Sequence, residues 1–424
     1  MTWIIVSAFV VLLAAGIPIP FVLGLISLLF FLMDGFLPLA LIPQRMFTAT
    51  DSFPMMAIPL FMLVGELMNA GGISQRLIRF SKALVGHITG GLAHVNILSS
   101  GFFAGISGSA AADASALGSI LIPAMVRGGY TAPFSAAVTA GSSLIGPIIP
   151  PSIPMILYGV IAGTSISTLF VAGIVPGILM GLTMMIVSWW MCRREGIRGE
   201  PRASARELWE SAKDASFGLV LPIIILGGIL GGVFTPTEAA AVGVLVAFVV
   251  GAFIYRAFTW NHIAKALVSA GMATGVVMLV IAFSQSVAFV LASQQIPQLL
   301  ANGLFSLTDQ AWLLILFLLA LLLAVGTLLE PAGALVILTP VLLPLANRLG
   351  LDLIQFGVLL VLGLVIGMVT PPVGSCLFIV SSISRLRLET VARAVLPFIG
   401  AAVVVLLLVA YVPAITLWLP GLLR

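Results

Sequence analysis

Charge is what this sequence has least of. Asp, Glu, Lys and Arg make up 8% of its 424 residues, while 61% are hydrophobic and the mean hydropathy is +1.27. About a quarter of an ordinary soluble domain is charged, so a water-facing surface is excluded for most of this chain. Cysteine and histidine are nearly missing too. Cys192 and Cys376 are the only cysteines, both in or beside apolar segments, which excludes a disulfide framework and a thiolate metal cage. No pair of acids and no Ser/His pair stands at catalytic spacing, which argues against an intramembrane enzyme.

What is present is apolar length. Hydrophobic stretches recur from Trp3 to Leu419, each long enough to span or enter a hydrocarbon core of ~30 Å. Strands would show alternation, and here it is missing, so the expectation is an all-α polytopic membrane protein embedded in a lipid bilayer. Residues 1–15 carry no basic residue before their apolar run, which predicts a retained first helix and not a cleaved signal peptide. A helix pair is expected near 3–33, bent at Gly16 to Pro20.

The densest polar stretch, residues 193–215, mixes Arg193, Arg194, Arg198, Arg202, Arg206 and Lys213 with acids. Mixed signs between membrane helices speak against nucleic acid and for a cytoplasmic linker. It divides the chain into residues 1–192 and 216–424, and a shift of 221 residues superposes the two. Gly146-Pro147-Ile148-Ile149-Pro150-Pro151 falls on Gly367-Met368-Val369-Thr370-Pro371-Pro372, Leu121-Ile122-Pro123 on Leu342-Leu343-Pro344, Arg127 on Arg348 and Gly105 on Gly326. Such a constant offset marks an internal repeat.

Placing the linker in the cytoplasm orients both halves through their basic residues. The first half is expected to hold a span at 55–70, a re-entrant hairpin at about 90–125, a broken helix at about 134–160 and a span at 169–191. The second repeats the order, upside down, with spans at 217–233, 238–255 and 267–291. Its hairpin is expected at about 311–346, its broken helix at about 356–380 and its last span at 395–418. Of 18 Lys and Arg residues, Arg45, Arg348 and Arg424 alone then face away from the cytoplasm, and both termini lie on the periplasmic side. The expected architecture is two inverted-topology repeats.

Proline removes a backbone donor and clashes with the preceding turn, so neither Pro-Pro segment can be continuous helix. An unpaired carbonyl in a bilayer costs several kcal/mol unless protein, water or an ion satisfies it. Matching breaks in two halves point to a transporter's binding site. Opposite each break lies a hairpin tip. The first, residues 101–115, is small, polar and acidic; the second, residues 326–333, aligns Glu330 with Ser109 and Ala334 with Asp113. Asp113, with Ser107 six residues before it and freed carbonyls opposite, suits a hard cation such as Na⁺. Two readings of Asp113 stand side by side: cation ligand, or N-cap of the second hairpin arm. For Glu330, capping and ligand binding are equally open. Glu66 is a weaker candidate facing a polar seam, and Glu238 reads as a first-turn acid of a Thr235-capped helix.

At these residues the sequence resembles the large membrane subunit of tripartite ATP-independent periplasmic (TRAP) transporters, the DctM-like family. The resemblance rests on Ala57-Ile58-Pro59-Leu60-Phe61, the run from Gly105 to Asp113, Gly146 to Ser152, Phe234-Thr235-Pro236-Thr237-Glu238, and Gly367 to Gly374. It implies an elevator-type ion-transporter fold and Na⁺-driven import of an organic acid across the bacterial inner membrane. It implies two partners, a periplasmic substrate-binding protein and a small four-helix membrane subunit, the latter expected as a separate chain. It implies one Na⁺ on Ser107, Asp113 and the carbonyls of Gly146, Ile149 and Pro151. A second Na⁺ would sit on Gly326, Gly367, Thr370 and the carbonyl of Val373. The substrate would lie between the tips, near Ser109, Glu330, Pro331, Ala332 and Gly333. A stand-alone Na⁺- or H⁺-coupled carboxylate carrier is the alternative.

Overall fold

The computed structural model describes residues 4, 7–9, 11–12, 15–35, 37–308 and 310–423. Most of the expected first helix, residues 1–15, lies outside the described residues. The described chain is all-helical, and nine of its helices are long and apolar enough to cross a membrane.

The first half runs α1 (Ile19–Asp34), α2 (Leu41–Thr50), α3 (Ala57–Ala70), α4 (Ile73–Val85), α5 (Gly91–Ser107), α6 (Ala110–Arg127), α7 (Ala132–Ser143), α8 (Ile153–Ala162) and α9 (Ile166–Arg194). The second runs α10 (Ala205–Leu230), α11 (Pro236–Val249), α12 (Trp260–Ser293), α13 (Ile296–Leu307), α14 (Ala311–Leu328), α15 (Pro331–Arg348), α16 (Leu353–Gly367), α17 (Ser375–Ser384), α18 (Leu388–Tyr411) and α19 (Ala414–Leu422). The repeat is explicit in these bounds. Helices α6 and α15 both begin and end 221 residues apart, and so do the starts of α7 and α16. The halves are inverted repeats, each carrying one hairpin, α5–α6 or α14–α15, and one broken helix, α7–α8 or α16–α17.

Several boundaries differ from the sequence expectation, and the reasons are local. Helix α10 starts inside the charged stretch because Ser204 and Glu207 form a reciprocal cap, with Glu207 Oε2 accepting from Ser204 N at 2.8 Å. Thr235 and Glu238 do the same at the start of α11. The last apolar stretch is two helices, parted at Pro413. Arg193 and Arg194 at the end of α9 stack over Trp189 and Trp190, 5.0 and 3.7 Å from the ring centroids. That pairing suits a membrane–water interface.

Two groups of helices emerge from the packing. A frame consists of α1, α2, α3, α10, α11 and α12, which pack on one another. A tip group consists of both hairpins, both broken helices, α9, α18 and α19. Within the tip group the halves are crossed. Hairpin arm α6 packs on α17, beyond the second break, and arm α15 packs on α8, beyond the first. Tyr158 on α8 also donates to the carbonyl of Leu353 at 2.6 Å. The long α12 lies along α15 and is the main contact between the groups.

The amphipathic α4 bridges frame and tip group. Arg76 and Arg79 near its start meet Asp214 on α10 at 3.3 and 3.7 Å, and Lys82 near its end meets Glu200 at 2.9 Å. Each of these side chains is at least a quarter exposed. Water screens such pairs, so a Lys82/Glu200 double-mutant cycle in unfolding is expected to give a coupling under ~1 kcal/mol. A coupling of several kcal/mol would show the pair to be shielded.

Candidate functional site

The first break is held open by its own side chains. Ser143 ends α7, and Ile145 to Ile149 form turns with Ile148 N and Ile149 N both donating to Ile145 O. Ser152 caps α8, accepting from Met155 N at 3.2 Å, and its hydroxyl donates to Pro147 O. From the described residues the carbonyls of Gly146, Ile149 and Pro151 accept no hydrogen bond. The Pro150–Pro151 and Pro371–Pro372 bonds are cis.

Beside Gly146 in this break is Asp113, 1% exposed. One carboxylate oxygen, Oδ1, accepts from the Ser107 hydroxyl at 2.5 Å. The other, Oδ2, is buried with no hydrogen-bond partner. It points at the break: a Cβ built on Gly146 would lie 2.6 Å from it. Pro151 O lies against Gly108, close enough that a Cβ there would come within 2.5 Å of it. The structure therefore brings Ser107, Asp113, Gly146 and Pro151 together. The side chain of Ile149 points away and fills the space over Gly177 on α9, leaving only its backbone available.

The alternative of Asp113 as an N-cap is overturned. Ser109 holds the cap position of α6, in extended conformation, and accepts from Ala112 N at 3.4 Å. Asp113 sits a turn further in, where helical geometry aims its carboxylate sideways into the tip group. Glu330 does occupy the N-cap position of α15, yet its side chain makes no cap hydrogen bond.

The second break is built differently. Gly367 N–H-side backbone lies directly on Gly326, where any Cβ would overlap the Gly326 main chain. Thr370 N donates to Gly367 O at 3.0 Å and the Thr370 hydroxyl donates to Ile366 O at 2.8 Å. Gly374 N reaches back to Thr327 O at 3.5 Å. The carbonyls of Gly326 and Val373 accept no hydrogen bond from the described residues, and the Val373 side chain is 39% exposed. Gly326, Gly367 and Thr370 thus meet at one place, with Val373 on its rim.

Among the described residues, side-chain hydrogen bonds join hairpin and broken helix in the first half and none do so in the second. Asn96 donates to Thr139 Oγ1 at 2.7 Å, and Ser142 links Asn96 and Ser100. The aligned positions in the second half are Phe317, Leu360, Gly363 and Leu321, and there Leu322 packs over Gly363.

The two tips meet. A space of ≈ 50 Å³ is lined by Ser109, Ala110 and Pro147 from the first half and by Glu330, Pro331 and Ala332 from the second. Gly333 faces elsewhere, toward Val280 and Ser284 on α12. Glu66 was underrated in the sequence. It is fixed by Ser269, whose hydroxyl donates to Oε1 at 2.8 Å, and it lines a cavity of ≈ 160 Å³ with Ser107 and Ser109. The available signal was an acid within an apolar span, flanked by Gly65 and Asn69.

The chain as a whole has counterparts among known proteins. A solved crystal structure, that of the Alcanivorax borkumensis YdaH transporter, superposes with a TM-score of 0.62 over 86% of each chain at 16% identity, a likeness of fold. The sialic acid TRAP transporter large permease protein SiaM of Vibrio cholerae is 41% identical, covering 97% of this chain and 96% of its own. The C4-dicarboxylate TRAP transporter large permease protein DctM of Pseudomonas aeruginosa is 40% identical, covering 94% and 92%. The sequence model of the tripartite ATP-independent periplasmic transporter DctM component matches residues 6–415. The chain belongs to the DctM family of TRAP transporter large permeases.

Proposed function

We propose that this chain moves an organic acid into the bacterial cytoplasm on a Na⁺ gradient, by an elevator motion of the tip group against the frame. The observation that carries the coupling is the orphaned Asp113 Oδ2. A buried carboxylate oxygen without a partner is costly, and this one lies against Gly146 in the first break, where carbonyls accept no hydrogen bond from the described residues. Oxygen donors with a single carboxylate fit Na⁺ and offer nothing to a soft metal. We place one Na⁺ on Ser107, Asp113 and the carbonyls of Gly146, Ile149 and Pro151. A second sits on Gly326, Gly367, Thr370 and the Val373 carbonyl, giving at least two.

The anion lies between the tips, against Ser109, Glu330, Pro331, Ala332 and the backbone of Gly333. The N-termini of α6 and α15 supply amides there, and amides at a helix N-terminus receive negative charge. The two relatives' names specify sialic acid and C4-dicarboxylate, which share a carboxylate. The division into a frame and a tip group supports the elevator: the broken helices and hairpins form one packed body that can slide as a unit. Residues 193–215 are the cytoplasmic linker between repeat 1–192 and repeat 216–424, with both termini periplasmic. A periplasmic binding protein delivers the substrate and a small four-helix membrane subunit completes the complex, as the tripartite family description supports.

Uptake of labelled sialic acid and succinate into liposomes tests this. Uptake is expected only with an inward Na⁺ gradient, the small subunit and the binding protein all present. Uptake indifferent to Na⁺ would refute coupling. Uptake by this chain alone would favour a stand-alone carboxylate carrier.

A further inference from the structure

Glu66 stands at a place the transport scheme does not use. It is on the frame helix α3 and faces the first hairpin tip across the ≈ 160 Å³ cavity, whose walls also include Asn69, Ser107, Ser109 and Ser115. The frame and the tip touch at this point, because a Cβ on Gly65 would rest 3.6 Å from the Ser107 Cα. Ser269 on α12 donates to Glu66 Oε1 at 2.8 Å, which fixes the carboxylate with its second oxygen left to accept. Met62 and Ser109 line both this cavity and the ≈ 50 Å³ space between the tips, so the two adjoin at these residues.

The two adjoining spaces differ in chemistry. Between the tips two helix N-termini stand against the one Glu330 carboxyl, and their amides favour an anion. The larger cavity holds the Glu66 carboxylate, which accepts hydrogen bonds and repels negative charge. Asn69 and Ser115 add neutral donors and acceptors. We infer that Glu66 reads the uncharged end of the substrate, selecting a monocarboxylate that carries hydroxyl or amide N–H groups over a dicarboxylate. The inference rests on the proposal that an organic anion lies between the tips. A dicarboxylate of similar length would place its second charge toward Glu66, and like charges set face to face are a means of rejection. A polyhydroxylated acid instead gives Glu66 the donors it lacks. The cavity lies between frame and tip group, so this selection belongs to the membrane step and adds to whatever a delivering protein selects.

The test uses the complex of this chain with its small subunit in nanodiscs, with Na⁺, and measures binding of three probes: sialic acid, gluconate and succinate. Wild type is expected to bind the tighter of the two hydroxylated acids at least ~10-fold more strongly than succinate. Glu66→Gln removes the charge but keeps the shape, and is expected to bring the ratio near one, mainly by tightening succinate. Glu66→Asp keeps the charge, and is expected to keep the rejection of succinate. Thermal unfolding and the Na⁺ dependence of binding are measured for each variant, and both should be unchanged. A ratio unmoved by Glu66→Gln, or a wild type that prefers succinate, overturns the inference while leaving Na⁺ coupling intact. A wild type whose binding of every probe ignores Na⁺ overturns the function proposed above instead.

Discussion

Asp113→Ala is expected to raise the Na⁺ concentration for half-maximal uptake by about a hundredfold or more, since losing even an outer-shell partner costs a metal site ~10–100-fold. The variant leaves the Ser107 hydroxyl and the carbonyls of Gly146 and Pro151 in place but takes away the carboxylate beside Gly146. Asp113→Asn keeps the volume and the hydrogen bond from Ser107, and separates charge from packing. If both variants fold, shown by an unchanged melting temperature, and both lose Na⁺ sensitivity, charge is the cause. Asp113→Ala transporting with the wild-type Na⁺ dependence would remove this residue from the site. Thr370→Ala is the internal comparison. Its hydroxyl is already committed to Ile366 O at 2.8 Å, so the second site loses less, under ~10-fold.

Gly367→Ala is expected to be the most disruptive single-methyl change in the tip group. Its Cβ would overlap the backbone of Gly326, and main chain on both sides cannot step aside as a side-chain end can. Overpacking of this kind costs ~1–3 kcal/mol, and more where nothing relaxes. We expect a melting temperature lowered by several degrees, or loss of the monodisperse peak in size-exclusion chromatography. Gly400→Ala on α18 is the control: nothing stands within 4 Å of its Cβ, and alanine is the better helix former by ~1 kcal/mol. Equal behaviour of the two variants would mean that the second break and the second hairpin are not locked together.

The repeat was legible because proline and glycine leave a mark that no lipid-facing residue imitates. The offset found from Gly146 and Gly367 in the sequence reappears in the bounds of α6 and α15. The pairing of Ser107 with Asp113 was legible for a similar reason, as a lone acid among small residues needs donors or a cation. Three things were hidden. The cap of α6 belongs to Ser109, four residues before Asp113, because the backbone is extended there and already helical at Asp113. The polar joint of Asn96, Ser100, Thr139 and Ser142 spans more than 40 residues and has no periodicity. Glu66 reads in the sequence only as an acid facing a polar seam, because the partner that fixes it, Ser269, is 203 residues away. Local chemistry shows in a sequence, and long-range hydrogen bonds inside a bilayer do not.

The crossing of the two halves bears on how the chain is made. Helices α6 and α8 emerge from the ribosome well before their packing partners, α17 and α15, whose starts lie 265 and 178 residues further on. At ordinary synthesis rates that is a wait of roughly 10–50 s. Until then the first half lacks the second-half helices it packs against, and lipid supplies no donors to its broken segment. The insertion machinery must shelter the unfinished first half, and a chain cut at the linker is a substrate for quality control. The same crossing constrains ancestry. A single-repeat forebear could have closed its core only around a second copy of itself, inserted upside down in the same bilayer.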